Sequence, residues 1–265
     1  MKNILVPVGN TEKAVSTLQY AVDFANAVNA NIFVMRAYTL LPRAGAISNV
    51  DNVMQRSAKD ELEAVVRKVD QKEVDIKVVT YKGDVLDGVR GFEKQYDIDL
   101  IIVRPCCTDN RSEVYLGSTS GSIVKQTETP VLVVPTDQVF SPAKTMLAAF
   151  KSGRLKKKKS KIAVLKEFKD HFGTAVKLLL VKTPGYEEKD LKISGALMEI
   201  SSSVTITENA TTYQAVLEHF QSTQPDILCV FRRKRGFFEK LWESNAVLKK
   251  DFYATIPLLV LKGEI

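Results

Sequence analysis

The run Gly117-Ser118-Thr119-Ser120-Gly121 is a turn of small residues. It precedes SIVKQ, which reads as a helix, and follows DLIIV at residues 99–103, which reads as a buried strand. Small residues at a helix start let backbone amides approach a phosphate, and the helix dipole favours negative charge there. The amides of Ser118 and Thr119 would meet such a group, with the Arg104 guanidinium supplying charge. The loop between strand and turn suits this less. It opens Arg104-Pro105-Cys106-Cys107, where glycine would allow positive φ and close backbone approach. A second chemistry is cationic. Residues 151–161, KSGRLKKKKSK, hold seven basic side chains and no acidic one, and RRKR at 232–235 is followed by Phe237 and Phe238. Such runs are either solvated surface or a docking site for a polyanion or an acidic protein.

Other chemistries find little to work with. The two histidines, His171 and His219, each stand beside or next but one to helical apolar positions and form no metal motif. There is no GxxxxGK[ST] phosphate loop and no GxSxG nucleophile elbow. Glu61 and Glu63, two apart on a helical pattern, face different sides and cannot act as a pair. Cys106, Cys107 and Cys229 are odd in number and lack metal spacing, which fits unpaired thiols in a reducing cytosol. A thiolate favoured by Arg104 would be the basis of a redox role for the first two. No apolar run reaches the roughly 18–20 residues of a membrane helix. The opening MKNILVPVGN is interrupted by Pro7 and Gly9 too soon for a secretory signal. The expectation is a cytoplasmic protein that is not an enzyme and has no membrane partner.

The positioning elements follow from an internal repeat. DLIIV at Asp99 returns as DILCV at Asp226, and Pro130 of TPVLVV returns as Pro257 of IPLLVL, both 127 positions later. The same shift sets Val79 on Ile206 and Val89 on Val216. KNILVPV at Lys2 matches KTMLAAF at Lys144 with a shift of 142, so the second copy is about 15 residues shorter in its middle. In the first copy, short apolar runs at 4–8, 32–35, 76–80, 100–103 and 131–134 alternate with three-to-four-spaced apolar faces such as Leu18, Ala21, Val22, Ala25 and Val28. The second copy repeats the strands near 146–150, 177–181, 204–207, 227–230 and 258–261. Continuous apolar strands alternating with amphipathic helices specify a parallel sheet covered on both faces. The fold expected is α/β, two tandem doubly wound domains of five parallel strands, at residues 1–136 and 143–265, with the linker near Pro142. Charge divides along the same line. Residues 1–135 carry 16 basic and 17 acidic side chains, and the remainder carries 22 and 14. The whole excess of positive charge belongs to the second copy.

With KNILVPV, the DLIIV strand, Gly117-Ser118 heading a helix and the closing TPVLVV, the chain resembles the universal stress proteins, here in tandem. The resemblance implies strand order 3-2-1-4-5 and pairing through the last strands, 131–134 and 258–261, within one chain or in a homodimer. Nucleotide-binding members carry a glycine, two residues, a second glycine, nine residues and then Gly-Ser or Gly-Thr, with an acidic residue just after the first strand. On this chain the third element is Gly117-Ser118, but the two earlier glycines fall on Arg104 and Cys107, and the acidic position on Gly9. The degenerate site is therefore Gly9, Arg104, Cys107, Gly117, Ser118 and Thr119, and it implies that tight ATP binding is lost. The equivalents of Gly117 and Ser118 in the second copy are Ser244 and Asn245, ordinary helix caps.

Three functions remain in view. The first is a non-enzymatic stress-response protein without a tightly held cofactor. The second is a switch that binds ATP or AMP weakly in the first domain. The third is a polyanion or nucleic-acid binder. For the third, Lys156, Lys157, Lys158 and Lys159 would follow the first strand of the second copy, and Arg232, Arg233 and Arg235 its fourth. In the expected order those two strands are neighbours.

Overall fold

The computed structural model describes residues 1–9, 13–39, 50–105, 118–153, 162–232 and 256–262. The described chain divides into two compact units, one running to Phe140 and one beginning at Ser141. The first contains β1 (Asn3–Pro7), α1 (Ala14–Val28), β2 (Asn31–Tyr38), α2 (Val50–Val66), β3 (Ile76–Lys82), α3 (Val85–Gln95), β4 (Leu100–Val103), α4 (Ser118–Gln126) and β5 (Val131–Val133). The second contains β6 (Thr145–Phe150), α5 (Ala163–Phe172), β7 (Ala175–Lys182), α6 (Gly195–Ile200), β8 (Ser201–Glu208), α7 (Thr212–Thr223), β9 (Ile227–Arg232) and β10 (Leu258–Lys262).

Both units have the expected order. The first runs β3-β2-β1-β4-β5 and the second β8-β7-β6-β9-β10, with neighbouring strands parallel. Successive strand residues point to opposite faces, and Ile4, Leu5 and Val6 of β1 are all fully buried. Both faces of that strand are therefore covered, at about 1.5–3 kcal/mol per large side chain removed from water. The face of α1 read from periodicity, Leu18, Ala21, Val22, Ala25 and Val28, is the buried one. Asn29 ends this helix with left-handed φ of 53°, a conformation asparagine tolerates.

The repeat extends to individual bonds at the amino ends of the strands. Asp99 Oδ2 accepts the amides of Lys2 at 2.6 Å and Asn3 at 3.1 Å. Asp226 Oδ2 accepts those of Lys144 and Thr145, both at 2.8 Å. Each aspartate also donates its own amide to the partner strand, Asp99 to the Asn3 carbonyl and Asp226 to that of Thr145, both at 2.9 Å. The same carboxylate thus pins the first strand to the fourth in both units.

Two features depart from a plain duplication. Phe140, inside the stretch read as linker, packs its ring edgewise on Tyr20 and Phe24 of α1 at 5.6 and 5.8 Å. The shortening of the second copy falls between its second and third strands. There α2, of 17 residues, has as its counterpart α6, of 6 residues. The consequence shows on β8, none of whose eight residues is buried.

Candidate functional site

In the first unit the chain moves outward from β1 through β2 to β3, then returns to β4 on the other side of β1. Strand order reverses between β1 and β4, which pair through Ile4 with Leu100 and Leu5 with Ile101. Ligands of such sheets sit outside the carboxyl ends at this reversal. Val8 and Gly9 follow β1 there, and Arg104 follows β4. Ser120, in the first turn of α4, is buried and donates its hydroxyl to the Arg104 carbonyl at 2.6 Å. That bond sets the start of α4 over the end of β4. Ser118 is the first residue of the helix, and Thr119 is exposed. The structure thus brings Arg104 and the α4 start together, with Gly9 at the end of the adjoining strand. Cys107 and Gly117 lie outside the described residues. Gly9 is exposed, and among the described residues a Cβ built on it meets nothing within 4 Å, so there it has room for an acidic side chain but supplies none.

The corresponding end of the second unit is arranged differently. After β6 the chain turns through Ser152 and Gly153, and the Gly153 amide donates to the Asp190 carbonyl at 2.9 Å. The Ser194 amide donates back to the Gly153 carbonyl at 2.8 Å. Asp190 belongs to a 3-10 turn, Glu188–Leu191, closed by a reciprocal cap between Glu187 and Asp190. A Cβ on Gly153 would lie 2.6 Å from the Ile193 Cα, so only glycine fits this approach. The segment that follows β7 is thereby bonded across the end of β6. The Ser152 hydroxyl is buried beside this contact and has no hydrogen-bond partner among the described residues.

The basic runs leave from adjoining strands. β6 pairs with β9 through Met146 with Ile227 to Ala149 with Val230, and the exposed Lys151 follows the first while Arg232 ends the second. Lys156, Lys157, Lys158, Lys159, Arg233 and Arg235 lie outside the described residues, as do Ser244 and Asn245. The histidines occupy helix positions. His171 Nε2 lies 3.1 Å from Glu167 one turn earlier, and His219 Nδ1 lies 2.9 Å from the Ala215 carbonyl. No group of three or more His, Cys, Asp or Glu that could hold a metal occurs among the described residues. No helix among them is long and apolar enough to cross a membrane. Cys229 is buried in β9, and desolvation pushes its thiol pKa far upward, so it is a core residue.

A model of the universal stress protein family matches residues 1–135. The chain belongs to the universal stress protein family. A universal stress protein of Methanocaldococcus jannaschii is 20% identical over 138 residues, covering 50% of this chain and 81% of that protein. The fold of the whole chain is similar to the crystal structure of a universal stress protein from Archaeoglobus fulgidus DSM 4304. There the TM-score is 0.71 at 19% identity, over 98% of this chain and 96% of that one. A functionally unknown protein of Pseudomonas aeruginosa PAO1 shares the fold with TM-score 0.60 at 12% identity, over 100% and 93%. As a tandem universal stress protein, the chain keeps the family's sheet in both halves, while the family model itself reaches only the first.

Two residues at these carboxyl ends, Ser120 and Gly153, carry no sequence signal of their own: Ser120 lies among other small residues, and Gly153 lies inside a charge run. At the amino ends, the clamp by Asp99 and Asp226 has a signal, since the aspartate opens the same apolar strand in both copies.

Proposed function

We propose that this universal stress protein is a non-enzymatic, cytoplasmic stress-response protein whose first domain binds ATP or AMP weakly and whose tight nucleotide site is lost. The observation that carries the reading is the division at the β1/β4 end. The phosphate side keeps a built helix start, fixed to Arg104 by Ser120. The nucleoside side has Gly9, which offers no carboxylate. A phosphate held by Ser118 and Thr119 amides and the Arg104 charge gains charge-assisted bonds, but the nucleoside gains no anchor. Cys107 in place of glycine adds a side chain where backbone would approach a phosphate. In the second domain the segment bonded across Gly153 competes for the equivalent space, which favours the first domain as the nucleotide end.

Isothermal titration of the full chain with ATP and AMP tests this. Wild type should bind more weakly than micromolar, and Gly9→Asp, which has room for its side chain, should tighten binding. Submicromolar ATP affinity in the wild type would overturn the reading.

A second reading rests on β6 and β9 being neighbours. Their ends would deliver Lys156, Lys157, Lys158 and Lys159 beside Arg232, Arg233 and Arg235, a cationic site for a polyanion or an acidic protein. Affinity for a short oligonucleotide should then fall steeply with salt, through counterion release, and fall again in the triple Ala variant of Arg232, Arg233 and Arg235. Pairing of the two domains through β5 and β10, or of two chains by the same strands, belongs to the same proposal, because paired strand edges resist aggregation.

A further inference from the structure

The second unit carries a strand edge that the first does not. β3 and β8 are the outermost strands on the corresponding sides of the two sheets. β3 is protected in the usual ways. It carries Lys77 and Lys82, the latter held by Asp51 at 2.7 Å, and the long helix α2 buries Ala58, Leu62 and Val66 beside it. Lysines and a covering helix are how proteins blunt sheet edges. β8 reads SSSVTITE, with no lysine, no proline and one charge, Glu208, at its end. Its covering helix is reduced to α6, and Ile206 stands 51% exposed. Among the described residues β7 is its sole sheet partner. Its one irregularity is a bulge near Ser202, where the register steps from Val176–Ser201 to Lys177–Ser203. From Ser203 to Glu208 the edge is regular, and no described strand pairs with its outer side.

We propose that β8 is a self-association edge, pairing antiparallel with β8 of a second copy about a two-fold axis through Thr205. The bonding geometry sets this register. The Asn209 amide donates to the Lys182 carbonyl of β7, so Thr207 and Thr205, two and four residues back, also turn their backbone groups inward to β7. Val204 and Ile206 then turn theirs outward. In the two-fold register Ile206 and Val204 of one copy exchange hydrogen bonds with Val204 and Ile206 of the other. Thr205 meets Thr205 in the closer, non-hydrogen-bonded pair between them. Opposed residues lie on one face, as a two-fold normal to the sheet requires. Val204 covers the exposed Ile206, β-branched side chains oppose one another, and Ser203 stands opposite Thr207. Glu208 falls opposite Ser202, so no like charges meet. The sequence of this edge is complementary to itself, which is what an isologous contact demands. The proposal does not depend on any nucleotide or polyanion reading.

The test uses the full chain with Cys106 and Cys107 replaced by serine. Thr205→Cys should give a disulfide-linked dimer on oxidation with copper phenanthroline, since non-hydrogen-bonded pairs bring Cα atoms to about 4.5 Å. Met198→Cys, on α6 and 49% exposed, should cross-link far more slowly. By sedimentation velocity in the otherwise natural chain, Thr205→Lys should raise the dimer dissociation constant by about tenfold, because two ammonium groups would oppose each other at the axis. Equal cross-linking of the two cysteine variants, an unchanged dissociation constant for Thr205→Lys, or a wild-type chain that stays monomeric at high concentration would each overturn the proposal.

Discussion

Replacing Gly153 by alanine should release the segment that lies across the end of β6. The added Cβ would sit 2.6 Å from Ile193 Cα, 2.8 Å from its Cγ1 and 2.9 Å from its amide nitrogen. Two of those three atoms are backbone and cannot swing aside. Reaching an ordinary contact of about 3.4 Å requires the Ile193 backbone to retreat by roughly 0.8 Å. The bonds that flank it, Gly153 to Asp190 at 2.9 Å and Ser194 to Gly153 at 2.8 Å, would then be stretched to the limit of hydrogen bonding. Two backbone bonds at about 1 kcal/mol each, added to overpacking of about 1–3 kcal/mol, put the local cost near 3–5 kcal/mol. Local opening is the cheaper response, so the effect belongs first to this segment rather than to the whole domain. Amide hydrogen exchange should show protection lost at Gly153 and Ser194, with β7 and β9 little changed. Gly9→Ala is the matched control, because no described residue lies within 4 Å of its Cβ, and it should stay within about 0.5 kcal/mol. Unchanged exchange at Ser194 in Gly153→Ala would refute the reasoning.

The paired aspartates should behave alike. Asp99→Ala and Asp226→Ala each remove two amide–carboxylate bonds, and each should cost about 1–2 kcal/mol in urea unfolding of its own domain, since the freed amides can reach water. A loss in one domain only would mean that the two clamps are not equivalent. Cys229 should be silent toward a thiol reagent in the native Cys106→Ser, Cys107→Ser variant and should titrate as one thiol in guanidinium. Its pKa is raised by burial, so above the ordinary thiol value of 9.0 only the unfolded chain ionises there, and stability should decline as pH rises through that range. Rapid native labelling would contradict the buried position.

The parts of the fold visible in the sequence are those governed by local pattern. Leu100–Val103 and the buried faces of α1 and α3 announce themselves because a fully covered strand or helix face leaves few residue types to choose from. β8 shows where that signal ends. Only residues 204–207 look strand-like, yet the strand runs from Ser201 to Glu208, its length set by pairing with β7 rather than by apolar side chains. At the candidate site, Gly9 and Arg104 were legible because they occupy positions defined by distance from a strand. Ser120 and Gly153 were not, because their partners, Arg104 and Asp190, lie 16 and 37 residues away along the chain. Their importance comes from where the loops cross.

The aspartate clamps lie at the amino ends of the strands, and everything that differs between the two copies at the candidate site lies at the carboxyl ends. A duplicated chain that holds its register from one end can afford to experiment at the other. Glycine after one first strand and a lysine-rich run after the other are then two outcomes of a single permission. The Lys144–Thr145–Asp226 bonds dictate how β6 and β9 meet from the end opposite the Gly153 crossing, so a change beyond the carboxyl ends leaves their register in place.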